Sequence, residues 1–302
     1  MKLLTTISAL LFAFGIYAQS TLFKVITSQG SVDVVTNGII SKVSSGERLN
    51  SGSQLKVSPN SYLGLIHISG GTMELKQAGE YDITQLAQQF GTEQSSFTDK
   101  YTDYVVSKVT SDNDTKKNYS YTGAVTRGAE SLVLWAPSAN KENIVKLLQS
   151  VPVKLNWGEV DGVDNYQITL KTFDETSILY TETTSGNSLL LDLSKITPTN
   201  DAPYFIEIEA LGSKIPHCMK PFYLLDEKSS TSITNELNEL KEKIDTESAL
   251  GNLIIASFYD ENGFTMYAIS SYQDAVKMEP TVKDYKDVRN IYFNNHQILF
   301  QE

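Results

Sequence analysis

The chain has 302 residues, enough for two or three domains, and 40% of them are hydrophobic, which excludes a chain disordered throughout. Its 25 Lys and Arg against 36 Asp and Glu give a formal charge of −11, which argues against a nucleic-acid partner, because phosphates are held by clustered cations. One cysteine, Cys218, excludes an intrachain disulfide and a cysteine-built zinc site, and His67, His217 and His296 show no ligand spacing, so no metal or cofactor is expected.

Residues 1–18 read as a cleavable secretory signal. Lys2 precedes a mostly apolar run to Tyr17, and Ala18 stands before Gln19 and Ser20. The run is about 15 residues, short of the ~20 that span a bilayer. No later run of that length follows, so no membrane insertion is expected after cleavage. The junction resembles that of exported Bacteroidota proteins, which implies a periplasmic location. Loss of Lys2 takes the charge from −11 to −12.

Residues 22–90 alternate apolar and polar side chains: Val32 and Val34, Leu63 and Leu65, Ile66 and Ile68, Met73 and Leu75. Turn residues recur between them, which predicts a small all-β domain. Residues 69–72 predict a tight turn needing positive φ. His67, between Ile66 and Ile68, is expected to face outward. The glycine-bounded strands at Gly30–Val34, Ser45–Leu49, Ser51–Leu55, Ser61–Leu65 and Gly71–Leu75 resemble the periplasmic FecR-type β-domain. That resemblance implies the β-fold alone, since a signal stands where FecR proteins carry their anti-sigma part and membrane helix.

Residues 91–130 form a connector. Phe97, Tyr101, Tyr104 and Val105 recur at helical spacing and predict a helix over 96–109, with a tyrosine face for a neighbouring domain. Residues 111–117 read as a flexible polar stretch. Asp112 and Asp114 do not complete a calcium loop.

Residues 131–226 predict about seven short strands, over 132–136, 151–157, 166–170, 178–184, 189–193, 204–210 and 222–225, hence a β-sandwich. Residues 140–149 suit either a helix or an edge strand. Trp157, Tyr166 and Tyr204, at their spacing, resemble a fibronectin type III or Ig-like module, in which Trp157 would plug the core. Glu159, Asp161 and Asp164 read as a solvated turn rather than an acid–base pair. Cys218 reads as a buried or half-buried strand residue.

Residues 229–302 change to helical period. Leu237, Leu240 and Ile244 mark one helix. From Ala249 on, Ala256, Tyr259, Ala268, Tyr272, Ala275 and Pro280 resemble a tetratricopeptide repeat. Asn262-Gly263 would turn between its helices, and a further helix is expected over 282–294. The resemblance implies that Leu253, Ser257 and Asp260 line an inner face towards a partner, unless a capping helix covers them. The fold class expected is therefore multidomain and mainly β with a C-terminal α segment. The function expected is a non-enzymatic periplasmic scaffold or adaptor for an envelope protein. The alternative is a ligand- or glycan-binding sensor module, with the β-domains as the binding part.

Overall fold

In the computed structural model, residues 20–92, 96–110, 132–137, 144–197 and 202–298 are described. The expected signal (1–18), the stretch 111–117 and residues 140–143 lie outside them. The described chain is a β-rich, multi-part fold with a C-terminal helical segment.

The first part holds eight strands in two antiparallel sheets. One sheet has the order β4-β1-β6-β7 and the other β3-β2-β5-β8. The strands are β1 (Thr21–Gln29), β2 (Val32–Thr36), β3 (Ile39–Lys42), β4 (Arg48–Asn50), β5 (Gln54–Val57), β6 (Tyr62–His67), β7 (Thr72–Leu75) and β8 (Gly79–Asp82). Between the sheets lie Phe23, Val25, Val34, Leu49, Leu55, Leu63 and Leu65. The 69–72 turn takes its positive φ at Gly70 (97°). Asp82 caps a short helix, α1 (Ile83–Ala87), by accepting from the Gln85 amide.

The outer face of this sandwich is covered as well. All six residues of β6 are buried, because alternate side chains enter different cores. Leu63 and Leu65 point between the sheets, while Tyr62 and Ile66 join the apolar cluster of the C-terminal helices. A bulge in β1 between Val25 and Thr27 breaks the alternation. It turns both Ile26 and Thr27 to that outer face, where Thr27 donates to Asp284 at 2.7 Å. Gly64 sits at the closest approach. A Cβ there would lie 3.2 Å from Thr27, 3.5 Å from Leu250 and 3.5 Å from the Tyr285 hydroxyl.

This doubly covered strand corrects the reading of His67. Ile66 faces the helices rather than the sandwich core, so the parity is inverted and His67 turns inward. It is buried, stacks on Phe90 at 4.8 Å and meets Phe23 edge-on at 5.0 Å. Its Nδ1 accepts from the Ser69 amide at 3.2 Å, which leaves the proton on Nε2. Burial holds the imidazole below the ordinary value of 6.5. The unfolded chain therefore takes up this proton first. The stability is fully present above about 6.5 and is lost as pH falls towards the folded value. Urea melts between about pH 7.5 and pH 5 are expected to show a loss of stability that His67→Phe lacks. Equal pH slopes in the two proteins would sink this assignment.

The second part faces a five-stranded sheet, β12-β11-β14-β15-β9, against a two-stranded sheet, β10-β13. Its strands are β9 (Val145–Leu148), β10 (Val153–Asn156), β11 (Asn165–Lys171), β12 (Ile178–Ser185), β13 (Ser188–Leu191), β14 (Tyr204–Ala210) and β15 (Cys218–Leu225). The ambiguous stretch resolves at 145–148 as a strand, parallel to β15. Residues 132–136 supply only a bridge, Leu134 to Trp157. Trp157 is fully buried, 5.6 Å from Tyr166, whose hydroxyl accepts from the Val160 amide at 2.8 Å. Glu159, Asp161 and Asp164 are exposed around a turn. Cys218 is half-buried at the start of β15.

Among the described residues there are five further helices: α2 (Ser96–Thr110), α3 (Glu227–Lys243), α4 (Ala249–Glu261), α5 (Thr265–Met278) and α6 (Lys283–Asn295). Ala256, Ala268 and Ala275 are fully buried, so α4 and α5 pack closely as a hairpin. Asn262 caps α4, and Gly263 follows with φ 75°. The N-terminus of α4 is capped twice. Ser248 accepts from the Gly251 amide at 2.9 Å, and Glu74 of β7 accepts from the Leu250 amide at 2.7 Å. On the other side, the Tyr267 hydroxyl of α5 accepts from the Leu148 amide and donates to the Val151 carbonyl, each at 2.9 Å. The helical segment thus packs on both sandwiches, and one apolar cluster runs from Ile26 through the helices to Trp157.

Candidate functional site

The residues expected to meet a partner lie on α4. Leu253 and Ser257 are 0% exposed, and the Ser257 hydroxyl donates to the Leu253 carbonyl at 3.0 Å. Asp260 is half-buried and accepts from the Tyr104 hydroxyl of α2. Tyr101 of the same helix packs 5.4 Å from Phe258. The connector helix forms over 96–110, and its tyrosines dock on the helical segment. The expectation of an open inner face is therefore corrected, because the chain's own α2 occupies it.

This contact places a carboxyl in a partly dry setting. Burial raises Asp260 above the ordinary 3.8, and the Tyr104 hydrogen bond and the charges of His296 and Lys108 oppose that shift. The folded state therefore binds this proton more readily than the unfolded chain. The ionised form carries a penalty above the folded value, and the penalty is relieved as pH falls. Asp260→Asn is expected to stabilise the protein at pH 7, with the gain shrinking towards acid pH. Urea midpoints for both proteins across that range check this. A gain that grows on acidification would contradict it.

A second place was not anticipated from sequence. A cleft of about 360 Å³ opens between the helical segment and the two-stranded sheet. Helical spacing builds one wall. Asn252, Ile255 and Tyr259 recur at three and four along α4, and Tyr267, Ser270, Ser271 and Asp274 do so along α5. The opposite wall is the outer face of β10 and β13, where Lys154 and Leu190 are register partners. Lys241 of α3 and the loop residues Thr246 and Glu247 close one end.

The polar groups of this cleft fall into two classes. Some are satisfied. Lys154 pairs with Asp274 at 2.5 Å, and the Asn252 amide donates to the Thr246 and Ser248 carbonyls at 3.1 and 2.9 Å. Others are not. Tyr259, Ser270 and Ser271 are 4%, 7% and 9% exposed, and their hydroxyls, without a hydrogen-bond partner among the described residues, stay within reach of solvent at the cleft. Lys241 has no carboxylate partner there either, and burial holds its ammonium below the ordinary lysine value. Buried polar groups are normally paired within the protein or through ordered water. A mid-helix serine usually bonds back to a carbonyl four residues earlier, so hydroxyls left free face the cleft.

The lining holds no histidine or cysteine. Among the described residues, no group of three or more His, Cys, Asp or Glu is placed to hold a metal ion. No helix there is long and apolar enough to cross a membrane. One signal for the cleft was present in the sequence. Ser270-Ser271 interrupts an otherwise apolar helical run from Met266 to Tyr272, where serine is a poor choice for packing.

No protein-family model matches the chain, and no curated protein matches it in sequence. A solved structure described as a Ca2+-stabilized adhesin that helps an Antarctic bacterium reach out and bind ice is similar at 10% identity and a TM-score of 0.20. The match covers 67% of this chain and 41% of that one, less than half its length. A likeness at that score carries no argument about fold or function.

Proposed function

We propose that the chain is an exported, non-enzymatic binding module of the cell envelope whose recognition site is the cleft between α4, α5 and the two-stranded sheet. One observation carries this reading: the hydroxyls of Tyr259, Ser270 and Ser271 open onto the cleft with their bonding capacity unspent on the protein. Each hydrogen bond that a ligand makes to them in place of water is worth about 0.5–1.5 kcal/mol net. The reading keeps the three modules: a FecR-type β-domain, a fibronectin- or Ig-like sandwich and a tetratricopeptide-like hairpin. Five strands facing two, with Trp157 in the core, support the second, and the alanine-packed α4–α5 hairpin supports the third. The apolar run in residues 1–18 supports export.

The test is a thermal-shift screen of small polar metabolites against wild type, with Ser270→Leu as a cleft-filling variant. A compound at a hundredfold its Kd adds about 2.7 kcal/mol to stability. A shift in wild type that is absent in Ser270→Leu supports the cleft. Should Ser270→Leu fold poorly, Lys241→Met serves in its place. A panel that shifts neither protein counts against the cleft.

The protein-adaptor reading keeps one observation of its own. Ile39 and Ile40 are 72% and 70% exposed on β3, an edge strand whose one strand partner among the described residues is β2. An apolar open edge is a surface that another chain can pair with. A photoreactive residue at Ile40 that yields one discrete protein adduct in cells would favour this reading, and its failure would remove the support.

A further inference from the structure

We infer that the cleft takes a hydroxylated carboxylate of sugar size, a hexuronate or a single hexuronate unit, recognised by Lys241 together with Tyr259, Ser270 and Ser271. This rests on the reading of the cleft as a binding site and names its ligand class.

Three observations converge. The first is charge. Lys154 is neutralised by Asp274 at 2.5 Å, so it offers little to an incoming anion. Glu247 is exposed and solvated, so it does not require a cation. Lys241 is the cation on the cleft wall that lacks a carboxylate partner among the described residues. A charge-assisted hydrogen bond to a ligand carboxylate is the strong contact open to it.

The second is the kind of polar group. A hydroxyl both donates and accepts. Three such groups, open to the cleft and unspent on the protein, match a ligand whose own groups do both, as vicinal hydroxyls do. A fatty acid would leave them unmatched, and a simple carboxylate such as acetate would reach few of them. The third is shape. About 360 Å³ lies near the lower end of small-molecule sites, commonly about 300–1,000 Å³. The hydroxyls lie on the helical wall, and Leu190, 66% exposed, offers an apolar surface on the sheet wall. A pyranose ring has this same division, with hydroxyls at its rim and C–H bonds on its face.

The experiment is an amide-resolved NMR titration of the full mature chain with three probes. Sodium D-glucuronate carries both features. D-glucose has the hydroxyls without the carboxylate, and sodium acetate has the carboxylate alone. Glucuronate is expected to shift the amides of Lys241, Asn252, Ser270 and Ser271 and to bind about tenfold or more tightly than either control. Lys241→Met should bring glucuronate down to the glucose level and leave glucose unchanged. Ser271→Ala should weaken both sugars and leave acetate unchanged. Glucose binding as tightly as glucuronate would overturn the anion assignment, and acetate binding as tightly would overturn the sugar assignment. In either case the cleft would stand as a site. No shift with any probe up to tens of millimolar overturns the ligand class. The metabolite screen with Ser270→Leu then decides separately whether the cleft binds anything.

Discussion

Gly251→Ala is expected to lower stability by about 3 kcal/mol or more, although alanine is the better helix former. Gly251 lies in the first turn of α4. A Cβ built there would stand 1.9 Å from the Asp245 carbonyl oxygen and 2.8 Å from its carbon. That oxygen already accepts from the Ser248 hydroxyl at 2.7 Å and the Ser248 amide at 3.2 Å. The loop cannot retreat without breaking the cap of α4. The intrinsic helix gain of about 1 kcal/mol is smaller than the overlap it creates. Thr246 and Glu247 of this loop also form the cleft rim, so the variant should weaken any cleft ligand. Urea denaturation gives the first number. A stability within error of wild type would show that the loop yields cheaply and that the close approach is not a constraint.

Phe258→Ala is expected to cost about 3–5 kcal/mol, the range for emptying an aromatic site in a packed core. Phe258 is fully buried and contacts Tyr101 of α2 at 5.4 Å and Tyr259 at 5.5 Å. Its loss should loosen α2 before the rest, since Tyr101 would lose a main apolar neighbour. Hydrogen exchange should then accelerate over residues 96–110 beyond the change in the sandwiches. Because one apolar cluster joins the helices to both β-parts, the wild-type chain is expected to unfold in a single transition. Two well-separated transitions would mean that the β-parts hold without the helices.

Period and punctuation made much of this architecture legible. The helical hairpin could be placed from Ala256, Ala268 and Ala275 together with Asn262-Gly263, because small residues and a glycine after a helix end have few other uses. The strands of the second sandwich could be placed from their alternation, except the first. There Leu134 makes only a bridge, and β9 takes the neighbouring edge of the larger sheet. His67 was misread for a reason that no local pattern removes. Alternation shows which residues share a face but not which face meets water, and β6 has no wet face. The same limit hid the burial of Leu253 and Ser257 and the α2 contact at Asp260, since a helix whose Tyr104 is 156 positions away in sequence leaves no mark on α4 itself. The cleft was harder still. Its residues come from α3, α4, α5, β10, β13 and two loops, and what sets Tyr259, Ser270 and Ser271 apart among them is the absence of an internal partner. A sequence carries no record of such an absence, apart from the hint of Ser270-Ser271.

The outer face of β6 bears on the timing of folding. Its partners lie far along the chain: Tyr62 meets the Tyr285 hydroxyl at 2.7 Å across 223 positions, and Thr27 of the neighbouring β1 meets Asp284 across 257. At about 5–20 residues per second, roughly 11–45 s of synthesis separate that strand's emergence from the arrival of its cover. Contacts so distant in sequence also slow the search for the native state. During that interval Tyr62, Gly64 and Ile66 form an apolar stripe without its shield. The nascent chain must therefore be kept from pairing with its neighbours until α6 closes the sheet.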